Sequence, residues 1–306
     1  MASNKKTLNQ AQASVLKTLV YHGIFDFPLK RNELWDFLIS EAKIKRLDFD
    51  TAIKNLKKEF IFERNGYFVL KNQGSLIDRR KSNLSIVKEK LGIARFVSNY
   101  LALISTIEFI GISGGLALGD ADKSDDIDFF IITKENSIFK TRFLILIILQ
   151  FLGLRRKRND KNPAGKICVN FLIDKSRLVF PINDRDLYIA HEIGQVRPLF
   201  ERDKTYSRFL NKNKWIFNFL PNLRPHDFEK VERLEIGLLF RLFIFLVQRI
   251  FTESISRFIQ LVIMRPHKTS EIVANHVLAF NPNDYRVKTL DKLRLKLLEI
   301  GLLTRL

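Results

Sequence analysis

One cysteine, Cys168, in 306 residues leaves no intramolecular disulfide and no cysteine-rich zinc module to hold this chain together. Proline occurs eight times, and neither an internal repeat nor a low-complexity linker is present. Acidic residues are scarce beside basic ones: 33 Asp and Glu stand against 52 Lys and Arg, a formal net charge of +19. Such a surface favours polyanions, whether nucleic acid, nucleotides or an acidic membrane face. Compositional bias alone would also give a chain rich in Lys, Phe, Ile and Asn. Long uninterrupted apolar runs are missing too. Residues 143–154 are nearly all apolar but too few for a bilayer core of ~30 Å. The stretch 236–264 is broken by Arg241, Gln248, Arg249, Glu253 and Arg257. Both read as buried helices, with a basic amphipathic helix lying on a membrane as the alternative. The N-terminal residues lack the apolar stretch of a signal peptide, so the expected location is cytoplasmic.

What the chain does have is enough apolar material for a core. At 46% hydrophobic it is neither disordered nor collagen-like. Its length fits two domains, or three small modules, at roughly 100–200 residues per domain. The expected division is a helical module with a hairpin over 1–75, an α/β core over 80–182 and a helical C-terminal domain over 183–306. In the first module helical spacing marks 12–21, 32–40 after Pro28, and 51–59 with Asp50 as N-cap. Asn65-Gly66 between apolar runs at 60–64 and 67–70 signals a hairpin, because both turn positions need φ > 0. Three helices and a hairpin resemble a winged helix-turn-helix, with Lys54, Lys57 and Lys58 exposed on its recognition helix. Nucleic-acid contact and a purely packing role stand level for it. Then 81–104 reads as one long helix, and a βα alternation follows: strands at Ile107–Ile112, Ile127–Thr133 and 166–174, with a helix at 138–154. Beyond Arg185 the pattern is mostly helical, with Asn281-Pro282 as a break.

Four of only thirteen glycines, Gly111, Gly114, Gly115 and Gly119, fall within nine residues. Asp120, Asp122, Asp125, Asp126 and Asp128 follow at once, against the basic trend of the chain. A P-loop needs Lys and a hydroxyl residue after Gly119, where Asp120-Ala121 stands. The dinucleotide fingerprint fails on glycine spacing, and an EF-hand fails at Asp125 and Ile131. What survives is strand, Gly-Gly, short loop, and Asp126-Ile127-Asp128 opening a second strand. Two carboxylates two apart on a strand share a face. They repel unless a cation lies between them, and oxygen-only ligands suit Mg²⁺. Gly114-Gly115 lets backbone N–H groups approach phosphates.

This pattern resembles the DNA polymerase β-type nucleotidyltransferase superfamily, whose signature is Gly-Gly or Gly-Ser, about ten residues, then Asp-hydrophobic-Asp. Leu116-Ala117-Leu118-Gly119 and Ser124-Asp125 are similar to its minimal members. The resemblance implies a fold of mixed α+β class: a small mixed β-sheet with flanking helices, here between a winged helix and a helical C-terminal domain. It implies metal-dependent transfer of a nucleoside monophosphate from a nucleoside triphosphate such as ATP, with release of pyrophosphate. Asp126 and Asp128 would be catalytic and hold Mg²⁺. Ser113, Gly114, Gly115, Lys123 and Ser124 would bind the nucleotide. The family usually has a third acidic residue on the next strand, and the aligned position here is Asn170. On strict alternation Lys166, Cys168, Asn170, Leu172 and Asp174 share one face. Asn170 can give an oxygen to a metal but is no base, which weakens a second metal ion. Asp174 and Glu192 are candidates for the missing base, with structural roles as the plainer reading. Cys168 reads as a buried small hydrophobe, and Lys166, Arg142 and the basic run 155–158 as basic surface or polyanion contacts. A catalytically degenerate nucleotide-sensing or nucleic-acid-binding regulator on the same fold is the alternative.

Overall fold

A computed structural model describes residues 8–157, 160–228, 231–264, 272–279 and 284–302. Helix α1 (Gln10–Gly23) starts on a reciprocal cap between Asn9 and Gln12. It packs with α2 (Arg31–Asp36) and α3 (Arg46–Leu56) around Leu16, Leu34, Phe49 and Ile53. Helix α3 starts earlier than the sequence suggests. Asp50 lies inside it and pairs with Arg31 at 2.7 Å and Arg46 at 3.5 Å instead of capping it. Strands β1 (Leu29–Lys30), β2 (Ile61–Arg64) and β3 (Tyr67–Leu70) form an antiparallel sheet in the order β1-β3-β2. The hairpin turn has Asn65 at φ 54° and Gly66 at φ 77°, as the sequence requires.

The expected single helix at 81–104 is two: α4 (Ser75–Ser82) and α5 (Leu84–Leu101), broken at Asn83. The Asn83 amide donates to Asp122, so a tertiary contact holds the break. Strands β4 (Ile107–Ile112) and β5 (Ile127–Thr133) form where the sequence puts them, with the short helix α6 (Gly114–Leu118) after β4. Helix α7 (Ile138–Phe151) carries the chain to β6 (Ile167–Asp174), which lies parallel to β5. After α8 (Leu187–Gly194) comes β7 (Arg197–Glu201), then α9 (Thr205–Lys212), α10 (Leu238–Ile250) and α11 (Glu253–Met264). The chain closes with β8 (Ile272–Val273), β9 (Val277–Ala279) and α12 (Asp284–Glu299). The Asn281-Pro282 break lies outside the described residues.

The main sheet is mixed, with order β7-β4-β5-β6-β9-β8. It takes β7, β8 and β9 from within 183–306, the stretch read as a helical domain. These strands are two to five residues long and show no alternation of their own; pairing with β4 and β6 supplies it. On one face Ile127, Phe129 and Ile131 pack under α5 and α7. On the other, Phe130 and Ile132 meet α8, α9 and α12. The N-terminal helices join that second layer, where Tyr21 stacks on His191 with ring centroids 4.0 Å apart. Burial holds the His191 imidazole down at about 4, so it stays neutral there. Residues 143–154 are buried only along one side, at Leu144, Ile145, Ile148 and Leu149, while Phe151 is exposed. The helices of 236–264 depart further from the buried reading: α10 and α11 lie on the surface with Leu239, Ile250 and Phe258 exposed.

Candidate active site

The acidic run divides into two halves with different partners. Arg79 of α4 binds Asp120 at 2.8 Å and Asp122 at 3.3 Å. Asp122 N–H donates to Asp125 at 2.7 Å, closing a turn that leaves Lys123 and Ser124 exposed. The buried Lys90 ammonium donates to the Asp125 carbonyl, which also accepts from Gly165 N–H at 3.0 Å. These contacts fix the loop between β4 and β5. Asp126 and Asp128 take no part in these loop contacts and lie at the start of β5.

Asp128 lies on the Phe130 face of β5, opposite Cys168 of β6. Acceptor atoms of Asp126, Asp128 and Cys168 lie within 4.8 Å of one another. Burial, then the Asp126 charge, pushes the Asp128 carboxyl up to about 7. Burial and the same two aspartates push the Cys168 thiol up to about 12. Arg156 ion-pairs with Asp126 and lies 3.3 Å from Cys168 Sγ, putting a positive charge against the cluster. Ser113 N–H donates to the Asp128 carbonyl at 2.9 Å, so the glycines sit beside the carboxylates. Gly114 has φ +66°, and a Cβ there would lie 3.0 Å from Asp128 Oδ2. Gly114→Ala therefore costs about 1–2 kcal/mol of stability through left-handed strain. It also displaces the Asp128 carboxylate, which thermal unfolding and an activity assay would read separately.

The third strand departs from strict alternation. Phe129 pairs with Val169 and Phe130 with Phe171, so Asn170 is the extra residue of a β-bulge. Its side chain lies outside the described residues. The bulge reverses the phase of β6: Cys168, Phe171 and Ile173 belong to the Asp128 face, whereas Leu172 packs under α7. The expectation that Leu172 and Asp174 share the face of Cys168 is thereby corrected. Asp174 is fully buried at the far end of β6. Burial raises its pKa, but hydrogen bonds from Ser176, His276 and Asn136 N–H outweigh this and hold it below the usual value. Cys168, read from sequence as core, instead sits half-buried in the cluster. Strand periodicity places it on the same face as Asp128, and that was the available signal.

A cavity of about 310 Å³ opens on the same sheet face, reaching Ser113 beside Gly114. Phe130, Phe171, Phe180 and Phe209 give it an apolar wall. Tyr188 and Glu192 of α8 also line it. Asp186 caps α8 by accepting from Ile189 N–H at 2.9 Å, and one turn of spacing puts both side chains on one helix face. Burial pushes the Glu192 carboxyl up to about 7, and its charge reaches Asp128. Of the remaining basic candidates, Lys166 pairs with Asp160 at 2.6 Å and Arg142 donates to Gln260 at 2.6 Å. Comparison with protein-family models, curated proteins and solved structures returns no match.

Proposed function

We propose that the chain is a metal-dependent nucleotidyltransferase, moving a nucleoside monophosphate from a nucleoside triphosphate to a hydroxyl acceptor and releasing pyrophosphate. The approach of Gly114 to Asp128, with Asp126 alongside, carries the reading. Two clustered carboxylates suit a hard cation. The Cys168 thiol stays protonated and soft, so it adds little for Mg²⁺ and leaves a second ion weakly held. Mg²⁺ held by Asp126 and Asp128 would offset the charge of the triphosphate and of the departing pyrophosphate. Gly114 and Gly115 would supply backbone and Ser113 its hydroxyl to the phosphates, with Lys123 and Ser124 on the neighbouring turn. Glu192, poised near neutrality, accepts the proton of the attacking hydroxyl. It takes over the task for which Asn170 has no basic group. The aromatic cavity holds the acceptor or the nucleobase.

Calorimetry on the full chain with ATP, GTP, CTP and UTP, with and without Mg²⁺, tests the reading. Affinity that depends on Mg²⁺ for at least one nucleotide is expected, and equal affinity in both conditions for all four overturns it. The pH dependence has a definite sign. Below about 7 the Asp128 carboxyl is protonated, and the metal must displace that proton. The Mg²⁺-dependent part falls about tenfold per pH unit below 7 and is level above it.

Arg156 against Asp126 favours a second reading, a degenerate nucleotide-sensing or nucleic-acid-binding regulator. Transfer of label from α-labelled nucleotides separates the two.

Nucleic acid is the proposed macromolecular partner, through a winged-helix reading of residues 1–75. Lys54 and Lys58 are exposed on and just after α3, whereas Lys57 is taken up by Glu63. Lys54→Ala with Lys58→Ala should lower the salt slope of DNA or RNA binding by about 2. An unchanged slope would assign these helices to packing.

A further inference from the structure

Helices α10 and α11 are apolar on the outside as well as where α10 buries Ile244 and Val247 in the core. Their inward sides also carry polar anchors. Gln248 accepts from Ser105 N–H at 2.7 Å and donates to Leu103 O at 3.2 Å. Glu253 accepts from Phe139 N–H at 3.0 Å and Lys140 N–H at 2.7 Å, capping α7. Gln260 is buried and donates to Phe139 O at 2.7 Å. The outward sides are apolar: Leu239 is 84% exposed, Ile250 65%, Phe258 71% and Ile263 64%, with Leu246 and Val262 between them. Scattered exposed apolar side chains are ordinary, but this many on the outward sides of two consecutive helices mark a docking surface.

Charge selects what docks. The charged side chains exposed on these helices are Arg241, Arg249 and Arg257, all positive, because the one acidic residue, Glu253, faces inward. A second copy would bring arginines against arginines, in a chain already at +19. An anionic bilayer meets both the apolar surface and the arginines. At 1.5 Å per residue these helices extend about 20 Å, short of the ~30 Å core. No helix among the described residues is long and apolar enough to cross a membrane.

We propose that α10 and α11 lie in the plane of an anionic phospholipid surface, with Leu239, Phe258 and their neighbours in the acyl boundary and the arginines at the headgroups. The inference is independent of the nucleotide reading. Flotation of the full chain with phosphatidylcholine vesicles, with and without phosphatidylserine, tests it. Partition into the phosphatidylserine vesicles is expected. It should fall at least tenfold in the Leu239→Glu, Phe258→Glu double variant and about fivefold in Arg249→Ala. Both altered apolar positions are solvent-exposed, and circular dichroism checks that the variants stay folded. A Leu239→Trp variant should show blue-shifted emission with the anionic vesicles. Three results overturn the proposal: no partition by the wild type, partition that the double variant leaves intact, or a lipid-free dimer that the double variant dissociates.

Discussion

Asp126→Asn and Asp128→Asn are each expected to lower the proposed nucleotidyl transfer by about 10³-fold or more, since each would remove a charge from the proposed metal site while keeping the side-chain shape. The same Asp128→Asn change should raise the stability of the metal-free protein. The folded-state pKa of Asp128, about 7, lies above the unfolded value, so its contribution is full below about pH 4 and is lost as pH rises through 7. At pH 8 the asparagine avoids a cost of about 2–4 kcal/mol. Near pH 4 the two proteins should melt alike. Activity lost with stability gained, and the gain confined to high pH, separates a carboxylate kept for function from one kept for folding. Cys168→Asp tests the same geometry in the opposite direction. It puts a third carboxylate opposite Asp128, so metal affinity should rise and metal-free stability should fall further at pH 8. A transfer rate indifferent to all three changes would end the enzyme reading.

Arg80→Met should cost about 3–5 kcal/mol, the largest single loss expected outside the hydrophobic core. Arg80 is 2% exposed and forms two 2.7 Å hydrogen bonds to the Glu33 carboxylate. It also donates to the carbonyls of Pro28 and Leu118 and stacks over Phe27 at 4.0 Å. Removing it strands a partly buried carboxylate and two carbonyls, whereas most surface changes stay within ±0.5 kcal/mol. Adding Glu33→Gln should recover part of the loss, because the uncompensated charge is then gone. Chemical denaturation of the two single variants and the double variant closes the cycle. Additive losses would mean that the pair has no coupling.

Features set by neighbouring residues were legible in the sequence. Asn65-Gly66 declares its turn because few other residues tolerate two positive φ angles in succession. The glycines before Asp126-Ile127-Asp128 likewise stand next to the strands they serve. Features set by distant partners were hidden. Helix α3 begins at Arg46 with no side-chain cap to announce it. The break at Asn83 depends on Asp122, 39 residues away. Strands β7 and β9 exist because β4 and β6 offer edges to pair with. The apolar faces of α10 and α11 looked like core because periodicity reports an apolar stripe and not what covers it. Cys168 precedes the bulge, so its face was legible; it was read as core because a cysteine in a strand usually packs as a small hydrophobe.

Length changes in β6 should therefore behave unlike point substitutions. Removing one residue from a packed strand normally sends everything beyond it to the wrong side of the sheet. Asn170 is the exception, because it is the residue that the pairing skips. Deleting it leaves Cys168 and Phe171 on one face and Val169 and Leu172 on the other, now in regular alternation. The strand is shortened without being inverted, and the sheet loses a local kink beside the carboxylates. A chain lacking Asn170 thus tests what that residue contributes by its presence, which no replacement side chain can do.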